Sequence, residues 1–251
     1  MSCVDIRGCR IGEGRPKVIL PIVERAEAAI LEKSAQFSTL QADCVEWRVD
    51  YFEGARAPGA VARCLAKMRV ILRDKLLLVT FRTKMEGGEQ ALSHPEYLAF
   101  LSLILDTDCA DLLDIEFFTA GADLPKLVEQ AHSAGVAVVC SSHDFAKTPP
   151  RAELVCRMVQ MQQAGADLPK LAVMPRCRTD VLELLAATAE MADLHPKTPV
   201  ITMSMGTLGA VSRLAGETFG SAMTFANPGQ ASAPGQVSLN IVNEVLDALH
   251  L

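Results

Sequence analysis

The side chains best suited to covalent chemistry in this chain are Lys170, within GADLPKLAVMP, and His143, within CSSHDF. The run LPKLAVM from residue 168 alternates as a buried strand does, and Pro175 stops it before a helical turn can form. Lys170 is therefore expected on the face opposite Leu171 and Val173. Desolvation there, with neighbouring cations such as Arg48 or Arg82, would favour the neutral amine, the form that attacks a carbonyl carbon. The resulting Schiff base, once protonated, is an electron sink. His143 terminates an apolar strand, where an imidazole titrating near its ordinary value of about 6.5 can take a proton from the carbon beside the imine. A lysine and a histidine on adjacent strands thus point to lyase or aldolase chemistry without a cofactor.

The sequence carries its own control for the lysine. The octapeptide AGADLPKL occurs at 120–127 and again at 164–171. After the first copy comes LVEQAHSAG, a helical pattern with Asp123 as N-cap and Pro125 in the first turn, so Lys126 is expected in solvent. Only the second copy places its lysine inside. Of the other histidines, His94 and His195 precede prolines in expected loops, His132 lies on a helix and His250 is next to the C-terminus; all four read as surface residues. The glycine pair in RTKMEGGE gives Glu86 a loop from which its carboxylate could orient the His143 ring, the alternative being a solvated loop charge.

The elements that must position these groups are β-rich runs: KVILPIV from 17, CVEWRVD from 44, LLLVTFR from 76, LLDIEFF from 112, VAVVCSS from 136, LPKLAVM from 168, VITMSM from 200 and SAMTFA from 221. Helical patterns lie between several of them, as from Pro150 to Ala164, and such alternation predicts parallel strands joined by helices. Eight strands in 251 residues, with no G-x-G-x-x-G after the first, favour a (β/α)8 TIM barrel as one domain over residues 1–251. Residues 1–16 read as a short hairpin, VDIR and CRIG around Gly8, covering the N-terminal mouth of the barrel.

Strand alternation then sorts the side chains. Val45, Trp47 and Val49 form an apolar face for the helices, which turns Glu46, Arg48 and Asp50 inward or towards the mouth. Asp114 and Glu116 repeat the pattern, and Thr80, Arg82, His143 and Lys170 converge on the same interior. Barrel enzymes carry their chemistry at the C-terminal strand ends, where Arg82, His143 and Met205 fall. The alternative is a paired ion network that only stabilises the barrel.

A net charge of −6 and no clustered Lys/Arg argue against nucleic acid as a partner. The N-terminus lacks the apolar stretch of a signal peptide and no apolar run reaches membrane-spanning length, so a soluble cytoplasmic protein is expected. Cys44, Cys64, Cys140 and Cys156 fall in apolar-periodic segments and read as core residues. Without C-x-x-C, H-x-x-x-H or H-E-x-x-H, no metal site is expected.

The segments EWRVDYF, TFRTKMEGGE, DIEFF, SSHDFAKTP, GADLPKLAVMP, ITMSMG, SRLAGETFGS and SAPGQ give the chain, over nearly its whole length, a close resemblance to the type I 3-dehydroquinate dehydratases. The resemblance implies a (β/α)8 barrel of the shikimate pathway that converts 3-dehydroquinate to 3-dehydroshikimate, with no cofactor and as a homodimer. It further implies that Lys170 forms the imine, that His143 takes the C2 proton and then protonates the departing hydroxyl, and that Glu86 stands beside His143. Glu46, Arg48, Arg82, Arg213, Ser232 and Gln236 would contact substrate hydroxyls and carboxylate, and Met203, Met205 and Phe225 would supply apolar walls. The chain departs from the pattern at Pro21, where some members carry serine, and in the GTLGAV loop at 206–211. Two rival readings stand beside this one. A Schiff-base aldolase would need a phosphate cradle, and the sequence offers only Arg213 and SAPGQ; a non-catalytic scaffold would have no use for lysine, histidine and carboxylate together.

Overall fold

A computed structural model of the chain describes residues 2–228 and 236–250. It opens with an antiparallel hairpin, β1 (Val4–Ile6) and β2 (Cys9–Ile11), whose two-residue turn has Arg7 and Gly8 at φ 52° and 80°. Both turn residues lie in the left-handed region that a tight type I′ hairpin requires, and glycine takes it without strain.

The parallel strands then alternate with helices: β3 (Lys17–Ile22), α1 (Glu27–Ser38), β4 (Cys44–Arg48), α2 (Ala60–Leu72), β5 (Leu76–Thr80), α3 (His94–Leu105), β6 (Leu112–Glu116), α4 (Phe117–Ala120), α5 (Leu124–Ser133), β7 (Ala137–Asp144), α6 (Arg151–Gln163), β8 (Leu168–Val173), α7 (Arg178–Leu194), β9 (Ile201–Ser204), α8 (Val211–Leu214), α9 (Gly216–Phe219) and β10 (Met223–Asn227). A two-residue β11 (Val237–Ser238) pairs with β10 and leads into α10 (Leu239–Ala248). Strands β3 to β9 pair in chain order and β10 returns beside β3. The ring closes between β9 and β10 at their N-terminal ends, through a Val200–Ser221 bridge, the Ala222 N–H on the Val200 carbonyl at 2.8 Å and the Thr202 N–H on Ser221 Oγ at 3.1 Å. The expected barrel is therefore present, with all eight strands where the sequence placed them and the last beginning two residues later.

Period-two alternation separates two apolar layers. Leu20, Trp47, Val79, Ile115, Cys140 and Leu171 face the helices. Ile19, Leu78, Leu112, Val139, Leu168 and Ile201 fill the lower interior, and Ile11 of the hairpin plugs it from below. Above that layer the inward positions turn polar, and Glu116, Ser141 and Lys170 stand side by side across β6, β7 and β8. The two copies of AGADLPKL separate as expected: Lys126 is exposed on α5, and Lys170 on β8 is 3% exposed.

Three expectations are corrected. Cys156 is exposed, because it lies on the outer side of α6, while Cys44, Cys64 and Cys140 are buried. His94 is the first residue of α3 rather than a loop residue, since Ser93 and Glu96 form a capping box ahead of Pro95. His195, by contrast, lies outside the helices as expected, just beyond the end of α7. Asp123 makes no side-chain cap for α5: a 3-10 turn, Gly121–Asp123, feeds that helix directly, and His94 Nε2 occupies the carboxylate at 2.9 Å. Among the described residues no helix is long and apolar enough to cross a membrane.

Candidate active site

The polar upper interior opens at the C-terminal mouth into a pocket whose wall includes Glu46, Arg48, Arg82, Glu86, His143, Lys170, Met203, Met205, Arg213, Phe225 and Gln236. The residues singled out in the sequence thus converge on one cavity, except Ser232, which lies outside the described residues. Pro21, Gly87, Phe145 and Ala172 complete the wall.

Lys170 projects inward from β8 because Leu171 and Val173 take the outward positions. Its Nζ lies 3.4 Å from Asp114 Oδ2, 3.8 Å from Glu46 Oε1 and 4.7 Å from the centre of the Phe225 ring. The expectation of cationic neighbours is not met: the charges within reach of this amine are carboxylates. Asp114 is saturated with donors. Arg82 Nη2 donates to both of its oxygens at 2.8 Å and Ser141 Oγ donates at 2.7 Å. Burial works against its ionised form, but Arg82 and Lys170 outweigh that and hold it below the ordinary carboxylate value. Glu46 accepts one hydrogen bond, from Thr80 Oγ1 at 2.9 Å, and otherwise faces the pocket. Arg82 also reaches Glu116 at 2.9 Å and Glu86 at 3.4 Å, so the ion network considered as an alternative exists, centred on Arg82 and joined to Lys170 through Asp114.

His143, near the end of β7, presents Nδ1 to Glu86 Oε2 at 2.9 Å, and its backbone N–H donates to the same oxygen at 3.1 Å. Glu86 sits in a 3-10 turn, Lys84–Glu86, beyond β5, and is buried rather than solvated. Burial, with Arg82, Lys170 and Arg48 close by, holds the imidazole well below 6.5, a correction to the ordinary value expected from the strand-end position. Burial likewise pushes the Glu86 carboxyl up to about 8. Oε2 already accepts N–H groups from the His143 backbone and Arg82, which assigns any carboxyl proton to Oε1 and the donor role to Nδ1, leaving the Nε2 lone pair for the pocket. The Phe145 ring stacks beside the imidazole at 6.5 Å between centroids.

Arg213, on α8, is 3% exposed and has no carboxylate partner among the described residues. Among the described residues Nη1 meets only the Met203 sulfur at 3.6 Å and Nε has no acceptor, and burial lowers the guanidinium from 12.5 to about 10. A buried cation left unpaired in the pocket wall is a site for an anionic ligand. Arg48 differs: Asp50 holds it from two nitrogens at 2.8 Å, and it lies over the Tyr51 ring. Sequence reasoning misses two partners. Strand parity turns Asp114 inward but assigns it no role, and nothing in SSHDF marks Phe145 as a neighbour of the histidine.

A closed barrel of parallel strands with a buried lysine, a histidine–carboxylate pair and an unpaired arginine at its C-terminal mouth defines a (β/α)8-barrel enzyme. A family model described as type I 3-dehydroquinase matches residues 18–251. A 3-dehydroquinate dehydratase of Clostridium kluyveri is 48% identical over 246 residues, covering 98% of this chain and 96% of its own, and one of Bacillus licheniformis is 46% identical over 247 residues, covering 98% and 97%. The solved structure of type I 3-dehydroquinate dehydratase from Clostridium difficile, with covalently modified comenic acid, superposes with a TM-score of 0.96 at 42% identity over 99% of this chain and 98% of that one. The chain belongs to the type I 3-dehydroquinase family and is a carbon–oxygen lyase.

Proposed function

We propose that the chain dehydrates 3-dehydroquinate to 3-dehydroshikimate through an imine on Lys170. The observation that carries this reading is the sharing of one pocket by Lys170 Nζ, the His143–Glu86 pair and the unpaired Arg213 guanidinium. The substrate carboxylate would pair with Arg213, which fixes the ring with its ketone towards Lys170. The amine, having passed one proton to a base in the pocket, adds to the ketone carbon, and that proton returns to the carbinol oxygen as it leaves as water, giving a protonated imine that draws electrons from the adjacent C2–H bond. His143 Nε2 takes the C2 proton, while Glu86 on Nδ1 holds the ring and stabilises the imidazolium as it forms. The same proton is then given to the departing hydroxyl, which leaves as water, and hydrolysis of the imine frees the conjugated product and the lysine. The covalently modified comenic acid of the Clostridium difficile structure is in keeping with covalent chemistry in a relative of this chain.

The test is borohydride reduction in the presence of 3-dehydroquinate, followed by peptide mapping. A stable adduct on Lys170, absent in Lys170→Ala, is expected. An active enzyme that yields no adduct, or one on another lysine, would overturn the covalent mechanism.

A further inference from the structure

The proposed mechanism requires Glu86 to be held against His143 Nδ1, yet Glu86 is carried by a loop rather than by a strand. Loops are ordinarily the mobile parts of a barrel, so something must fix this one. The fixing point is Thr83. Its carbonyl accepts the N–H groups of Glu86 at 3.0 Å and Gly88 at 2.9 Å, winding the turn around it, and a Cβ at Gly88 would run into the Arg82 carbonyl. The other polar atoms of Thr83 go to one side chain. The N–H donates to Glu116 Oε1 at 2.8 Å and the hydroxyl to Glu116 Oε2 at 2.8 Å.

Glu116 is fully buried at the end of β6, and neither the wall of the pocket nor the proposed chemistry includes it. Its remaining donors are Arg82 Nη1 at 2.9 Å and Thr119 Oγ1 at 2.6 Å, and its own backbone N–H is held by Tyr97 Oη at 2.8 Å. Burying a carboxylate is costly even when it is well paired, and an apolar pair would fill the same space at lower cost, so stability is a poor account of its presence. What the carboxylate does geometrically is tie the strand carrying Asp114 to Thr83, the residue that leads into the turn carrying Glu86.

Resting on the proposed function, we propose that Glu116 and Thr83 are positioning residues for that reaction: the Glu116 carboxylate clamps Thr83 by its N–H and hydroxyl and thereby sets the distance from Glu86 to His143. Neither touches substrate. The clamp acts through the turn, and a displacement of about 1 Å in such a constellation can cost up to about a hundredfold in rate.

The test compares Thr83→Val, which removes the hydroxyl at nearly constant volume, with Thr83→Ser, which keeps it, and with Thr119→Val, which takes one donor from the same carboxylate without touching the turn. Thr83→Val should lower kcat about tenfold with KM within about twofold, and move the acid limb of kcat/KM to lower pH, because an imidazole with a displaced Glu86 gives up its proton more readily. Thr83→Ser and Thr119→Val should stay within about twofold of the wild type in kcat. Glu116→Asp, which keeps the charge and withdraws it by one methylene, should behave as Thr83→Val and serves if that variant fails to fold. Borohydride trapping at Lys170 should be unchanged in every variant; absence of trapping in the wild type would sink the imine mechanism and not the clamp. The clamp is overturned if Thr83→Val and Thr119→Val lower kcat equally, or if the trapped active fraction of Thr83→Val turns over at the wild-type rate with an unmoved acid limb.

Discussion

Replacing Arg213 by methionine should make the protein more stable and the enzyme worse. The guanidinium is 3% exposed, its Nε has no acceptor among the described residues, and burial takes it from 12.5 to about 10. A base whose folded value is depressed weakens the fold wherever it is charged, here at every pH below about 10, and the loss is relieved only above that value. At about 1.4 kcal/mol per pKa unit, the strain carried at neutral pH is roughly 3 kcal/mol. Methionine keeps the length and the apolar stem beside Met203 and removes the charge, so about 2 kcal/mol should be recovered, raising the melting temperature by roughly 4–8 °C for a chain of this size. The substrate carboxylate would lose its charged partner in the same step, costing roughly 3 kcal/mol, or about a hundredfold in kcat/KM. Urea and thermal unfolding of the unliganded protein read the first quantity, and the ultraviolet absorbance of the conjugated product reads the second. Arg213→Met that is less stable than the wild type, or that keeps KM within about twofold, would refute the view of Arg213 as a cation stored for the substrate.

Three further outcomes are expected from the same geometry. Because His143 is held well below 6.5, kcat/KM should show no inflection at 6.5 and lose the imidazole base only further into acid; an inflection at 6.5 would show that burial and the nearby cations do not control this ring. Glu86 is raised from 4.5 to about 8, so the folded state keeps a proton that the unfolded chain has already released; stability present in acid should be lost as pH rises through that window. Glu86→Gln should remove this dependence in urea titrations at several pH values and lower kcat about a hundredfold. Ile11→Ala, at the opposite end of the barrel, should cost about 3 kcal/mol of stability by opening a cavity in the lower interior, with KM unchanged; a shifted KM would mean that the two ends are coupled.

The parts of this architecture legible in the sequence are those governed by local periodicity. Alternation places every barrel strand and turns Lys170, Arg82 and Asp114 inward. The two copies of AGADLPKL, identical in content, are told apart by their C-terminal neighbours, a helical LVEQAHSAG after one and a strand cut off at Pro175 after the other. Partner choice is not legible, because it depends on how strands separated by other strands are staggered. That Asp114 faces Lys170 from two strands away, and that Arg82 faces Asp114, Glu116 and Glu86 rather than the lysine, results from register and strand tilt. The low imidazole value escapes for the same reason: it needs the ring to be buried and Arg82, Lys170 and Arg48 to be brought near it from separate segments. Cys156 shows the converse error, since a residue in an apolar-rich helix can still fall on its outer face.

The seam between β9 and β10 has a mechanical consequence. Every other pair of neighbouring barrel strands is laced by a ladder of backbone bonds, but here the lacing, among the described residues, lies at the end remote from the mouth, around Val200, Thr202 and Ser221. Towards the mouth the two edges carry Met203 and Met205 on one side and Phe225 on the other, meeting by side chains in the apolar interior. The ring is thus a cuff buttoned at one edge. Its girth is fixed at the hairpin end, whereas parting the walls at the substrate end breaks no ladder bond and is resisted, among the described residues, by side-chain packing of two thioethers and one aromatic ring and by α8, whose Ser212 Oγ accepts the Ser204 N–H at 2.9 Å and whose Arg213 carbonyl accepts the Thr224 hydroxyl at 2.9 Å.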